Sequence, residues 1–253
     1  MTIHELTPGR RPVPDAVFGG RLKGAYLLDV ELITACDISP HVRSLTVASP
    51  DLIGFEYAPG QDIMIEFPEG EGTVRRRYTI RRADPTEGTA ELEFELHEGA
   101  GAAARWAAAA KIGSRLDAIG PRGTVRLRPE AEGHLFVADD SAMPAAFAML
   151  EALPPGATAA AILVTPHGAG SRPGPLVPFG TKIIWIGEAE APEAIAGMAP
   201  QSGSAVYVNG ERGLVLRAVE ILTTSGTPRE DIASKAYWRR DRPNAAHGEP
   251  AGD

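Results

Sequence analysis

The sequence predicts a two-domain protein, an antiparallel β-barrel followed by an α/β domain with a parallel sheet. Three observations carry this. The first half holds short β-type runs separated by Pro and Gly turns, 90–96 (AELEFEL) alternates apolar and acidic residues without a miss, and beyond residue 131 apolar strands alternate with helical segments.

The barrel strands are expected at 25–34, 41–48, 62–67, around 75–82, at 90–96, and at 115–120 and 124–128, the last two flanking a turn Gly120-Pro121-Arg122-Gly123. One segment breaks the pattern: 101–111 (GAAARWAAAAK) is alanine-dominated and predicts a short helix. In the second half, 134–139, 157–165, 181–187 and 204–210 predict buried strands. A helix is expected over 141–153 with Ser141 as N-cap, and an amphipathic helix over 211–226 ended by Gly226 and Pro228. The expected organisation is a lead-in 1–24, a barrel domain 25–130, an α/β domain 131–242 and a flexible tail 243–253.

Composition narrows the function classes. A chain of 253 residues with 43% hydrophobic and 23% charged residues is globular. Its net charge of −8 argues against nucleic-acid binding but leaves room for a local basic pocket. Cys36 is the single cysteine and is expected to be a buried thiol; with six scattered histidines, no protein-held metal is expected. No apolar run is long enough for a signal core or a membrane span, so a cytoplasmic monomer is the expectation.

Against the acidic total, residues 75–82 read RRRYTIRR, five arginines in eight positions. On a strand, Arg76, Tyr78 and Ile80 share one face, and Arg75, Arg77, Thr79 and Arg81 the other. Two readings fit: a basic edge strand kept soluble by charge, or a seat for a phosphate beside a flat ring, with a guanidinium for the phosphate and a phenol for the ring. Some twenty residues on, His97-Glu98-Gly99-Ala100-Gly101-Ala102 leads into the alanine helix. Glycine at a helix start lets backbone N–H groups approach a pyrophosphate. Together the two stretches describe a dinucleotide held by arginine on one side and a helix terminus on the other.

These stretches resemble the flavin-binding barrel of the ferredoxin-reductase superfamily, whose R-x-Y-[ST] pattern stands here as Arg76-Arg77-Tyr78-Thr79. More narrowly, the chain resembles the siderophore-interacting, or ferric-siderophore reductase, family. The shared stretches are R-x-Y-T-x-R at 76–81, His97 with Gly101 and Trp106-Ala107, Gly120-Pro121-Arg122-Gly123, ADDSAMPA at 138–145, Val208-Asn209-Gly210-Glu211 and Tyr237-Trp238-Arg239-Arg240.

The resemblance implies an FAD-containing oxidoreductase that reduces ferric siderophores with electrons from NAD(P)H, or from a ferredoxin or other electron carrier. It implies that Arg76 holds the FAD pyrophosphate, Tyr78 lies along the isoalloxazine and Thr79 bonds near its N5 edge. Ile80, Arg81, His97, the backbone of Gly101, Ala102 and Ala103, and Trp106 would complete the cofactor site. Asp140, Ser141 and Ala142 would meet the donor nucleotide, although no G-x-G-x-x-G is present. Lys235, Arg239 and Arg240 would draw in an anionic chelate. Two departures stand out: Gly101-Ala102-Ala103-Ala104 replaces the family's Gly-Pro-Ala-Ser, and Asp241 stands where Gly is usual. Nothing is carried over to 165–180. A flavin reductase serving a separate oxygenase or carrier protein, and a non-enzymatic ferric-chelate binder, are the rival readings.

Overall fold

The computed structural model describes residues 11–12, 25–97, 101–198, 200 and 202–241. The expectations for Glu98, Gly99 and Ala100, for most of the lead-in and for the tail 243–253 lie outside the described residues.

The first unit comprises β1 (Arg11–Pro12), β2 (Tyr26–Ser39), β3 (Val42–Ala48), β4 (Asp62–Glu69), β5 (Gly72–Thr79), β6 (Arg82–Asp84), β7 (Thr89–Glu95), helix α1 (Ala102–Ala109) and β8 (Arg115–Arg122). The strands pair antiparallel in the order β5-β4-β8-β2-β3-β7-β6, with β1 on β2. The two ends of this order, β5 and β6, are consecutive in the chain. Ile80 N–H donates to the Gln61 carbonyl and Arg81 N–H to that of Glu91, so the sheet curls toward closure. The alternation read in 90–96 is real: Ala90, Leu92 and Phe94 enter the core with Leu28, Leu45, Ile63 and Phe67, while Glu91, Glu93 and Glu95 face outward. Each such fully buried large apolar side chain contributes about 1.5–3 kcal/mol.

The second unit comprises β9 (Gly133–Asp139), α2 (Met143–Glu151), β10 (Thr158–Val164), β11 (Lys182–Ile186), α3 (Ala191–Ala196), β12 (Ser204–Glu211), α4 (Arg212–Thr224) and β13 (Ile232–Trp238). Its sheet is parallel, ordered β11-β10-β9-β12-β13, so the chain reverses direction of travel between β9 and β12. Helix α2 covers one face over Phe136 and Tyr207, and α3 with α4 covers the other over Val137, Ile162 and Val208.

Several expectations are corrected. The turn expected at 120–123 is the end of β8, where Arg122 sits opposite Asp62; Gly120 permits this because a Cβ there would run into the Ile63 side chain. Residues 124–128 form no strand, since Val125 and Leu127 turn away to pack with the second core. Ser141 does not cap α2. Its hydroxyl donates to Asp139 Oδ1 (2.6 Å), leaving Ala142 as the N-cap residue. Cys36 is exposed, because β2 runs out past the core at that end.

Candidate functional site between barrel and sheet

The octet lies on β5 and its exit, with the two faces predicted. Tyr78 turns inward, its ring against Phe94 (centroids 4.0 Å, 30°) and edge-on to Phe67 (5.8 Å). Trp106 of α1 packs on the same Phe67 (5.5 Å), so the helix and the tyrosine share one aromatic cluster, and Ile80 is buried beneath it. Burial and the Glu95 charge push the Tyr78 phenol up, so it stays neutral. Arg76, on the same face, lies close enough for its charge to oppose that rise, and its Nη1 donates to the Arg75 carbonyl (2.9 Å). Helix α1 begins at Gly101 with no side chain capping it, and Ala102 and Ala103 are buried. With no side-chain cap, the first-turn N–H groups are of the kind that can take an anion.

The opposite face builds a different environment. Arg77 Nε donates to Asp62 Oδ1 (2.8 Å), its Nη2 to Oδ2, and Lys235 Nζ donates to the same Oδ2 (3.1 Å). Arg122 donates to Met64 Sδ (2.9 Å) nearby. Three cations therefore surround one carboxylate. Burial pushes Asp62 up, but Lys235 and Arg77 together hold it below the usual range. Burial lowers Lys235, and burial with the Arg77 charge lowers Arg122. Thr79 is hydrogen-bonded to Tyr237, whose ring lies 5.0 Å beneath Lys235 Nζ. The cationic trio expected from the C-terminus is not assembled: Arg239 pairs with Asp241 (2.7 Å) and Arg240 with Glu188 (2.8 Å).

Arg81 is turned into the junction with the second domain. Its side chain is 3% exposed; Nη1 and Nη2 donate to the two oxygens of Glu151 (2.8 and 2.7 Å), and Nε lies 3.3 Å from Glu93. Arg172, 2% exposed, donates to Glu93 (3.0 Å) and lies 3.5 Å from Asp140 and 3.8 Å from Glu95. These groups bolt the barrel to α2 and to the 165–180 loop. Burial would raise Glu151, but hydrogen bonds from Arg81, Leu176 N–H and Arg82 bring it down to about 2.

At the carboxyl edge of the parallel sheet, Asp139 accepts from Ser141 Oγ, Ala142 N–H (3.2 Å), Glu211 N–H (2.7 Å) and Trp238 Nε1 (2.8 Å). It ties together the ends of β9, β12 and β13. Ser141 and Ala142 are thus turned to Asp139, and Asp140 to Arg172, while His97 is exposed at the end of the barrel strand. Sequence reasoning missed Arg172, Glu151 and Glu93 as a group, since the Arg81–Glu151 and Arg172–Glu93 pairs span 70 and 79 residues and carry no local motif. Arg122 was quoted in a motif without a role.

A curled barrel carrying an aromatic-backed tyrosine and a helix without a side-chain N-cap, followed by a doubly covered parallel sheet, defines a two-domain flavoprotein reductase fold of the ferredoxin-reductase type. The chain matches the siderophore-interacting FAD-binding domain over residues 57–125 and the siderophore-interacting protein domain over 131–241. It is 30% identical to an uncharacterized protein of Mycobacterium tuberculosis over 72% of this chain and 70% of that one. It is 27% identical to ferric vibriobactin reductase ViuB of Vibrio cholerae over 84% of this chain and 89% of that one. The crystal structure of a siderophore utilization protein from T. fusca superposes with a TM-score of 0.77 at 25% identity, covering 89% of this chain and 97% of that one. The chain belongs to the siderophore-interacting protein family.

Proposed function

We propose that this protein is an FAD-dependent reductase of ferric siderophores, drawing electrons from NAD(P)H. The observation that carries the reading is the braced Tyr78 ring with Arg76 on its own strand face, next to the uncapped start of α1. That donor set fits FAD: a guanidinium and backbone N–H groups suit a pyrophosphate, and a neutral buried phenol backed by Phe94 suits a flat ring system. Arg76 and the N–H groups of Ala102 and Ala103 would hold the phosphates, Tyr78 and Thr79 would orient the ring, and Trp106 and Ile80 would fix the wall behind it. Bound there, FAD supplies hydride acceptance and single-electron donation. The donor nucleotide would approach along the 139–142 edge, with the division between the two functional halves near residue 130.

The chelate would dock on the other face of β5. Arg77, Arg122 and Lys235 outnumber Asp62, and their partial burial strengthens attraction for an anion. The chemistry asks for no iron ligand from the protein, because ferrous iron leaves hard-oxygen ligands far more readily than ferric iron.

An anaerobic absorbance titration tests the reading. Flavin bands should bleach with NADH or NADPH and return on adding a ferric siderophore. Bands that return only with a carrier protein would favour a flavin reductase. A colourless protein that takes up no added FAD would leave a non-enzymatic chelate binder.

A further inference from the structure

Between the two domains the ring of His41, from the turn joining β2 and β3, stacks on that of His167, from the loop after β10, with centroids 3.8 Å apart and planes at 13°. The pair lines an open cleft of about 540 Å³ with Leu96 and His97. A narrower cavity of about 40 Å³, bounded by the same four residues, reaches Glu95, Asp140, Ser171 and Arg172. Around it Ser171 Oγ and Arg172 Nε are buried with no hydrogen-bond partner among the described residues, and Glu95 Oε1, likewise without a hydrogen bond, has the Arg172 guanidinium 3.8 Å away. A buried polar group left without a hydrogen bond is unfavourable. Three around one cavity, behind a pair of flat rings, are arranged for something that binds.

We infer that this site receives a flat heteroaromatic ring with an amide-type edge, an N–H beside an acceptor, the ring lying against the stacked imidazoles and the edge pairing with Glu95 and Ser171. The inference rests on the reading of the protein as an FAD-containing, nicotinamide-using reductase: with the flavin's own imide edge assigned to the Tyr78 side, two further parts of those nucleotides carry such an edge, the nicotinamide carboxamide and the aminopurine of adenine. The shapes match in parts. The small cavity accommodates an amide-sized group and the open cleft the ring. The chemistry matches too. Burial, with the charges of Asp139 and Asp140, raises Glu95 to about 8 against the opposing pull of Arg172, so at neutral pH it presents O–H and C=O side by side and can make two hydrogen bonds to an amide edge. Glu93 adds to the rise, and His41, His97 and His167 are the remaining titratable groups around the site. Gly168 and Gly170, both at positive φ (75° and 82°) with open space around them, follow His167 and let its loop reshape.

The test uses the FAD-loaded full chain, with nicotinamide mononucleotide binding and FAD affinity measured by calorimetry in His41→Ala, His167→Ala, Glu95→Ala and Glu95→Gln. If the edge belongs to nicotinamide, the three alanine variants weaken mononucleotide binding about tenfold or more, the loss of a paired contact. Glu95→Gln stays near wild type, because a carboxamide presents the same donor and acceptor. Wild-type binding should also weaken as pH rises through about 8 while Glu95→Gln stays flat. If the edge is FAD's own adenine, the alanine variants lower FAD affinity instead, and adenosine monophosphate competes with FAD in the wild type. The inference is overturned if neither mononucleotide binding nor FAD affinity changes in His41→Ala and His167→Ala, whose side chains lie at the cleft and whose unfolding temperature checks the fold. Failure of the functional reading is a separate result, seen as wild-type flavin that no nicotinamide bleaches.

Discussion

At the scale of single residues, the five arginines of 75–82 divide by the face they occupy. Arg75 pairs with Glu66 (2.8 Å), Arg77 with Asp62, and Arg81 and Arg82 with Glu151, while Arg76 shares the strand face of Tyr78. Arg76→Ala should therefore weaken FAD binding about ten- to a hundredfold, the worth of a charge-assisted hydrogen bond. Flavin-fluorescence titration checks it. Glu95 makes a pH prediction of its own. Its folded carboxyl is raised from 4.5 to about 8, so the native state binds the extra proton and this residue erodes stability as pH climbs between those values. Glu95→Gln should raise the unfolding temperature at pH 8–9, with the gap closing toward pH 4.5. An equal gap at both ends would show that the carboxyl does not titrate there.

At the scale of elements, period-2 and buried-run patterns located the strands because each is set by the face a strand buries. β7 alternates and β9 is buried along nearly its whole length around the apolar run 135–138, as a one-faced barrel strand and a two-faced parallel strand require. The local signals failed where a contact from elsewhere competed. Ser141 has the chemistry of an N-cap, yet Asp139 takes its hydroxyl; Val125 and Leu127 read as strand, yet the second core takes their side chains. The junction at Asp139 also rests on glycine: Gly210 has φ 136°, and an added Cβ would lie 2.5 Å from Asp139 Cγ. Gly210→Ala should destabilise the protein by about 1–3 kcal/mol, through backbone strain and displacement of the carboxylate that joins three strand ends. Urea unfolding measures it, and a change within error would mean the strand ends are held by other contacts.

At the scale of the whole molecule, the two domains are joined by buried charge. Arg81, Arg172 and Glu93 are each 6% exposed or less. Removing one partner strands the others, so Arg172→Ala should cost about 3–5 kcal/mol and separate one calorimetric transition into two. Glu151, lowered from 4.5 to about 2, contributes stability that is fully present above pH 4.5 and fades as pH falls toward 2. Glu151→Gln should flatten acid unfolding over that window.

The sequence by itself determined the two sheets and most of their strands, the alanine helix, and the Arg76–Tyr78 face, because each depends on spacing within one segment and on which side chains water expels. Tertiary structure alone decided that Arg81 serves the domain junction, that Lys235 meets Arg77 and Arg122 around Asp62, and that His41 meets His167. Those partners lie at least 70, 113 and 126 positions apart in the chain, and contacts across such distances depend on how the barrel and the sheet dock, which no local periodicity encodes.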